Sequence, residues 1–284
     1  MVTKNDFGKY ETAWCPGCGN FGILDCVKEA LTQLGKEPHQ VLAVSGIGQA
    51  AKTPQYIYTN MFNGLHGRAL PPAIAAKIAN KDLTVIVNSG DGDTYGEGGN
   101  HLLHNIRRNV DIAHFVHNNQ IYGLTKGQAS PTTGEGQKTG IQTMGVMNQA
   151  FNPLAFAVAM DAGFVARGFS GDKEHLVSLM KEAIEFPGYA LVDILQPCIS
   201  FNKINTFKWY KERVKPISDE HDPTDRVKAF QLSMEWGENI PIGVVYKNPK
   251  PDFHSKIPFL AEGPPLVDRP QPEGKFPSLF KEFL

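Results

Sequence analysis

The sequence lacks the features that mark several classes of protein. Its 28 lysines and arginines are balanced by 29 aspartates and glutamates, so it has no basic excess to attract nucleic acid or an anionic membrane. No apolar run approaches the roughly 20 residues that span a membrane, and no basic start precedes an apolar stretch, as in a secretion signal. We therefore expect a cytoplasmic protein that binds neither nucleic acid nor membrane.

Cysteine is also scarce, with four residues in 284. Cys15 and Cys18 form a Cys-x-x-Cys turn before a predicted helix, Cys26 lies within that helix, and Cys198 follows Gln-Pro. This is not the pattern of a disulfide framework. In a cytosolic enzyme, Cys-x-x-Cys indicates a metal or redox site.

Apolar runs alternate with segments of helical periodicity over most of the chain. The predicted strands are 41–45, 83–87, 112–116, 164–168 and 189–195. The predicted helices are 20–34, 69–80, 98–108, 152–162 and 172–186. This βα alternation predicts an α/β fold with a doubly wound parallel sheet.

The composition changes towards the carboxyl terminus, so we divide the chain into a domain of residues 1–215 and an extension of residues 216–284. The extension has a predicted helix at 224–236 and a predicted strand at 242–246. It continues as a proline-rich arm, which we expect to lie across another surface. Six bulky apolar residues would anchor the arm: Phe253, Phe259, Leu260, Phe276, Phe280 and Leu284.

Polar residues follow two of the predicted strands. Gly90-Asp91-Gly92-Asp93 comes after the strand at 83–87, and Asn118-Asn119 comes after the strand at 112–116. Open α/β sheets bind ligands at the carboxyl ends of their strands. Asp and Asn oxygens suit Mg²⁺, and glycines let a diphosphate approach the backbone. Gly-Asp-Gly alone would equally fit an ordinary turn with an Asp helix cap.

The Gly-Asp-Gly sequence with its spaced Asn pair resembles the diphosphate-binding motif of thiamine diphosphate (TPP) enzymes. The resemblance implies that Asp91, Asn119 and the backbone carbonyl of Ile121 hold Mg²⁺. It also implies that four further residues line the cofactor: Gly92, Asp93, Gly123 and Leu124.

Together with the cysteines, the chain from Trp14 through Asn202 resembles the β subunit of 2-oxoacid:ferredoxin oxidoreductases. Further matching segments are 46–48, 65–68, 123–128 and 196–198. The resemblance implies the TPP-binding type of doubly wound sheet. It adds His66, at the diphosphate or the reacting carbon, and places further cofactor contacts at Ile47, Gly48, Gln49 and Ala50.

In that family, four cysteines of the β subunit hold a 4Fe–4S cluster. Cys15, Cys18 and Cys198 match three of them, but Gln49 stands at the fourth position, and glutamine is a poor iron ligand. Cys26 is no obvious substitute, because it lies about 12 Å along a helix from Cys18. The cluster could persist on three cysteines, with water, glutamine or another subunit's ligand on the last iron. The site could instead hold Zn²⁺ with a histidine, or no metal. We favour the first alternative.

Lys126 follows the predicted Mg²⁺-binding turn. Its segment resembles relatives that take 2-oxoglutarate or a range of 2-oxoacids, in which the lysine meets the distal carboxylate of the substrate. A solvated lysine on a mobile loop is the alternative. Residues 126–147 have little periodicity, and we expect this long loop to cover the cofactor.

The resemblance implies oxidative decarboxylation of a 2-oxoacid, with 2-oxoglutarate favoured, to acyl-CoA and carbon dioxide. Electrons would pass to ferredoxin, and the reverse reaction would fix carbon dioxide. No segment resembles the pyrimidine-binding half of TPP enzymes, which in this family lies on the α subunit. The expected partners are therefore an α subunit, ferredoxin, coenzyme A and a 2-oxoacid. Two other functions stay open: a cluster-free TPP-dependent decarboxylase or synthase subunit, and a non-catalytic α/β subunit with structural zinc.

Overall fold

A computed structural model describes residues 1–270 and 281 of the chain. The strands are β1 (Val41–Ser45), β2 (Asn60–Asn63), β3 (Thr84–Gly90), β4 (Ile112–Asn118), β5 (Ile121–Tyr122), β6 (Gln128–Ala129), β7 (Phe164–Phe169), β8 (Tyr189–Leu195), β9 (Val214–Pro216) and β10 (Ile240–Lys247). The helices are α1 (Gly19–Gln33), α2 (Leu70–Ala79), α3 (Gly99–Arg108), α4 (Pro153–Ala159), α5 (Lys173–Glu185), α6 (Phe207–Arg213), α7 (Arg226–Ser233) and α8 (Pro258–Ala261).

The main sheet has eight strands in the order β2-β1-β3-β4-β8-β7-β10-β9. All neighbours from β2 through β7 are parallel, as predicted. Every residue of β4, β7 and β8 is buried, because helices cover both faces of a sheet of this type. β10, which lies in the predicted C-terminal extension, joins this sheet and runs antiparallel to β7.

Two apolar layers flank the sheet. One contains residues of α1 and α5, such as Leu31 and Met180, and the other contains residues of α2, α3 and α4, such as Ala73, Leu102 and Leu154. The doubly wound α/β fold is therefore confirmed, with the predicted helices and strands in place and shifts of a few residues at their ends.

Several short strands and helices were not predicted from the sequence. All four residues of β2 are exposed, so this edge strand has neither the apolar run nor the alternation that identify a buried strand. The two-residue strands β5 and β6 form a small hairpin at the start of the predicted long loop. β9 and α6 were likewise missed.

The C-terminal segment adds to the sheet and then runs over its surface. β10, beyond the predicted boundary at residue 215, pairs with both β7 and β9. Phe253 packs against the core and Leu260 is buried, whereas Phe259 is 68% exposed. The anchors predicted at residues 276, 280 and 284 lie outside the described residues, and the division at residue 215 stays a prediction. No helix in the described part of the chain is both long and apolar enough to cross a membrane.

Candidate cofactor site

The predicted site residues lie in loops that leave the same edge of the sheet. Parallel strands end side by side, so the segments after β1, β2, β3, β4 and β8 meet there. These segments are 46–50, 64–68, 91–93, 119–126 and 196–198. The topology thus brings together residues that are far apart in the sequence.

Asp91 is 1% exposed at the end of β3. Its Oδ2 accepts hydrogen bonds from Ser130 Oγ at 2.5 Å and from Thr132 Oγ1 at 2.6 Å. Burial raises the pKa of Asp91 to about 6, and the two hydroxyl donors oppose that rise. A carboxylate held by donors on one oxygen can present the other oxygen to a cation.

A buried polar network continues from Asp91 into the sheet. Thr132 Oγ1 also lies 2.9 Å from Asn118 Oδ1, and the amide nitrogen of Asn118 donates to both oxygens of Asp193 at 3.2 and 3.1 Å. Tyr95 donates a 2.7 Å hydrogen bond to the same carboxylate. Burial raises the pKa of Asp193, and the nearby charge of Arg167 opposes this rise.

The Asn119 turn lies beside the Gly-Asp-Gly segment. Asn119 Oδ1 accepts the backbone N–H of Ile121 at 2.9 Å and has a second lone pair for a cation. The Tyr122 hydroxyl lies 3.4 Å from the carbonyl oxygen of Gly92. A Cβ on Gly92 would come within 2.2 Å of the Tyr122 ring, so the close approach of these segments requires glycine.

Asp93 joins two loops of the site. Its Oδ1 accepts the backbone N–H of Ile47 at 3.1 Å and of Gly67 at 2.7 Å. Burial raises the pKa of Asp93 to about 6, against the effect of the two N–H donors and of the nearby His66. The sequence resemblance gives Asp93 a place along the cofactor, and its carboxylate is directed at protein backbone.

Gln49 lies between the cysteine turn and the cofactor turn. Its backbone oxygen accepts a 2.8 Å hydrogen bond from the indole of Trp14, which precedes Cys15. Its Cγ lies 3.7 Å from the position of a Cβ on Gly123. The side-chain oxygen of Gln49 is buried and has no hydrogen-bond partner among the described residues.

The turn that carries Cys15 and Cys18 lies beside the segment that carries Cys198, since the side chain of Gln196 donates to Cys18. Cys18 precedes α1 and accepts hydrogen bonds from the backbone of Asn20 and, at 3.6 Å, from the side chain of Gln196. A helix N-terminus favours thiolate, but burial outweighs that effect and raises the pKa of Cys18 to about 11, with contributions from Cys198 and Cys15. In residues 1–270 and 281, no three His, Cys, Asp or Glu side chains lie close enough together to hold one metal ion.

Cys26 is separate from this group. It is 1% exposed in the apolar layer beside α1 and α5, which confirms its interpretation as a small buried side chain. His114 and His117 are buried and take part in hydrogen bonds within the protein interior. His114 is hydrogen-bonded to Ser89 and Tyr189, and His117 is hydrogen-bonded to the side chains of two asparagines.

The two predicted catalytic side chains lie at the exposed mouth of the site. His66 and Lys126 are both exposed, and Leu124, two residues before Lys126, is 40% exposed. Lys126 has a φ of 74°, which is uncommon for a residue with a side chain and is found where surrounding structure imposes it. Ala50, by contrast, is 4% exposed.

The sequence patterns missed the residues that support Asp91. Ser130 and Thr132 lie in the long loop, where Ser and Thr give no periodic signal. Asp193 and Arg167 carried a signal that could have been used, because each is a charged residue within a strand that is otherwise apolar.

Comparisons with known proteins agree with this geometry. Residues 40–194 match the family model described as thiamine pyrophosphate enzyme, C-terminal TPP binding domain. Residues 198–262 match the family model for the C-terminal part of the pyruvate ferredoxin oxidoreductase beta chain.

Individual relatives are similar over nearly their whole length. The 2-oxoacid:ferredoxin oxidoreductase subunit beta of a Sulfolobus species is 41% identical, over 95% of each chain. The 2-oxoglutarate synthase subunit KorB of Methanocaldococcus jannaschii is 32% identical, over 88% of this chain and 92% of the relative. A solved 2-oxoglutarate:ferredoxin oxidoreductase from Magnetococcus marinus, with 2-oxoglutarate, coenzyme A and succinyl-CoA bound, has a TM-score of 0.91 and 34% identity. That match covers 99% of this chain and 96% of the other.

Proposed function

The chain belongs to the 2-oxoacid:ferredoxin oxidoreductase β subunits, and we propose that it acts on 2-oxoglutarate as the diphosphate-binding half of a site completed by another subunit. In the proposed reaction, 2-oxoglutarate loses carbon dioxide and two electrons, and its remaining acyl group passes to coenzyme A. The electrons go to ferredoxin. We place the reaction in the cytoplasm.

The residues at the sheet edge fit Mg²⁺ and a diphosphate. Asp91 is anchored through Oδ2, which leaves its other oxygen for the ion, and the amide oxygen of Asn119 and the carbonyl of Ile121 would complete the protein ligands. When bound, TPP would supply a nucleophilic carbon for the keto carbon of the substrate and would accept the electron pair that is left when the carboxylate departs as carbon dioxide. The anchored Asp91 is the observation that carries this assignment.

The cysteine group fits a thiolate-bound cluster in its chemistry. Cys15, Cys18 and Cys198 would hold the 4Fe–4S cluster, which supplies the one-electron chemistry that ferredoxin requires. The N–H groups of Gln196 and Asn20 are directed at Cys18 Sγ, as in sites where hydrogen bonds stabilise thiolate. Gln49 would then be the ligand of the fourth iron, or it would lie beside a ligand that water or another subunit supplies.

Lys126 and His66 would contact the substrate at the mouth of the site. The ammonium of Lys126 suits the distal carboxylate of 2-oxoglutarate, which pyruvate lacks. Since both side chains are exposed in the single chain, the surface that encloses the substrate would come from the partner subunit. The C-terminal arm is the candidate for holding that partner.

The test is to purify the chain with and without its α subunit and to follow reduction of a viologen dye. We expect dye reduction that depends on 2-oxoglutarate and coenzyme A from the complex, and none from the chain alone. Clear activity of the chain alone would contradict the shared site, and a complex inactive on every 2-oxoacid would contradict the proposed reaction.

A cluster-free TPP enzyme is the second candidate, and Gln49 at the position of a fourth cysteine is the observation that favours it. Iron and acid-labile sulfide in the purified complex separate the two. The cluster-bearing enzyme contains both, whereas the cluster-free enzyme contains neither.

A further inference from the structure

We infer that Asp93 is a positioning residue, which joins the loops after β1 and β2 and thereby places Gln49 and His66 at the cofactor site. The inference rests on the proposed function and adds a role for a buried carboxylate that acts through the backbone.

The hydrogen bonds of Asp93 identify the two loops. Oδ1 accepts the N–H of Ile47, two residues before Gln49, and the N–H of Gly67, one residue after His66. Asp93 itself follows Asp91 by two residues. One carboxylate oxygen therefore fixes the relation among three segments that come together at the site.

The space around Asp93 is closed by glycines. A Cβ on Gly46 would lie 2.1 Å from Oδ2 of Asp93, and a Cβ on Gly67 would lie 2.3 Å from the carbonyl carbon of Glu97. Gly67 also has a φ of 65°, which favours glycine. The loop after β1 can approach the carboxylate only because Gly46 has no side chain, and the loop after β2 can pack on the backbone of Glu97 only because Gly67 has none.

Charge argues against a direct role on the diphosphate. A carboxylate beside the anionic oxygens of a diphosphate would repel them, because like charges at short distance are unfavourable. Both backbone hydrogen bonds go to Oδ1, so they need an oxygen acceptor and do not need the negative charge. An asparagine with its amide oxygen in the place of Oδ1 would keep both bonds, whereas alanine would lose both.

This difference gives the experiment. Asp93→Ala, Asp93→Asn and Gly46→Ala are compared with the wild type in the purified αβ complex. Gly99→Ala is the matched glycine control, because a Cβ there meets no atom within 4 Å. Two quantities are measured: hydrogen exchange of peptides covering 46–49 and 64–68, and TPP affinity at fixed Mg²⁺ from the near-ultraviolet circular dichroism.

We expect Asp93→Ala to speed exchange in both peptides and to weaken TPP binding at least about tenfold, because two buried N–H groups lose their acceptor. Gly46→Ala should also speed exchange and weaken TPP binding, because its Cβ would push the loop after β1 away from the Asp93 carboxylate. Asp93→Asn should remain within about threefold of the wild type, since it keeps the acceptor. Gly99→Ala should match the wild type in both measurements.

Fast exchange or weak TPP binding in Asp93→Asn, equal to that of Asp93→Ala, would overturn the inference, because the charge itself would then matter. Unchanged exchange in Asp93→Ala would overturn it as well. If Asp93→Ala does not assemble, Asp93→Asn is compared with the wild type alone, and a loss of TPP affinity beyond about threefold overturns the inference. If the wild-type complex binds no TPP, the proposed function fails, while the exchange measurement still tests the role of Asp93.

Discussion

The Thr132 hydroxyl lies 2.6 Å from Oδ2 of Asp91, although the two residues are 41 positions apart in the chain. The long loop therefore contributes to the predicted metal site directly, as the support of its acidic ligand. This contact would favour the ionised form of Asp91 in a place where burial favours the protonated form.

Thr132→Val should weaken Mg²⁺-dependent TPP binding by the αβ complex about tenfold, because a hydrogen bond to a charged group is lost. Thr133→Val is the control within the loop, since Thr133 is equally buried and donates to the carbonyl of Gln120. Thr133 reaches Asp91 only through Ser130. TPP titrations at several Mg²⁺ concentrations measure the effect. Equal losses of TPP affinity in both variants would show that the conformation of the loop matters and the Thr132–Asp91 hydrogen bond does not.

Lys126→Ala should raise the KM for 2-oxoglutarate at least about tenfold and change the KM for pyruvate less than about twofold, because only the former has a distal carboxylate. Lys126→Asn separates charge from backbone conformation, since asparagine tolerates positive φ. Lys138→Ala, another exposed lysine of the same loop, is the control. Equal changes for both substrates would refute carboxylate recognition by Lys126.

Asp193→Asn should lower the free energy of unfolding by about 3 kcal/mol, because it leaves the buried Arg167 without its opposite charge. Adding Arg167→Met should recover much of that loss. Denaturant titration of the wild type, the two single variants and the double variant gives the values. Additive losses in the double variant would mean that the two charges do not interact.

Cys18→Ser should abolish the iron and sulfide content of the complex and its visible absorption, since serine is a poor ligand for iron. Cys26→Ala should keep the metal and cost about 1 kcal/mol of stability, because it removes one buried atom from the core. Iron, zinc and sulfide analysis checks both. Zinc without sulfide in the wild-type complex would instead support the structural-zinc alternative.

His114 should make the chain less stable as the pH falls below its ordinary pKa. Burial lowers the pKa of His114 from 6.5 to about 3, so the unfolded chain takes up a proton between these values and the folded chain does not. The stability contribution is complete above pH 6.5 and is lost as the pH falls towards 3. Unfolding curves from pH 7.5 to 4.5 should show a slope smaller by up to about 1.4 kcal/mol per pH unit in His114→Gln.

Asp91 and Asp93 change the stability in the opposite direction from His114: they make the folded chain more stable as the pH falls, because burial raises the pKa of each to about 6. Both carboxylates are present in the wild type and in His114→Gln, so their effect cancels in the comparison. A variant with the same slope as the wild type would mean that His114 is protonated in the folded chain.

The sequence by itself determined the repeated βα units and the sheet edge at which ligands would bind. Apolar runs at 112–116 and 189–195 have the length and composition of buried strands, and the polar residues that follow parallel strands emerge at one edge. The Gly-Asp-Gly segment, the Asn pair and the Cys-x-x-Cys turn could also be recognised from the sequence. These are local patterns, set by residues close together in the chain.

The tertiary structure alone decided which side chains support them. Ser130 and Thr132 reach Asp91 only after the long loop folds back, and Asp93 reaches the backbone of Ile47 only because Gly46 leaves room for the approach. The pairing of β10 was decided there too, because it runs antiparallel to β7 and parallel to β9. Contacts between distant residues depend on how the elements pack, and no local pattern of the sequence records that packing.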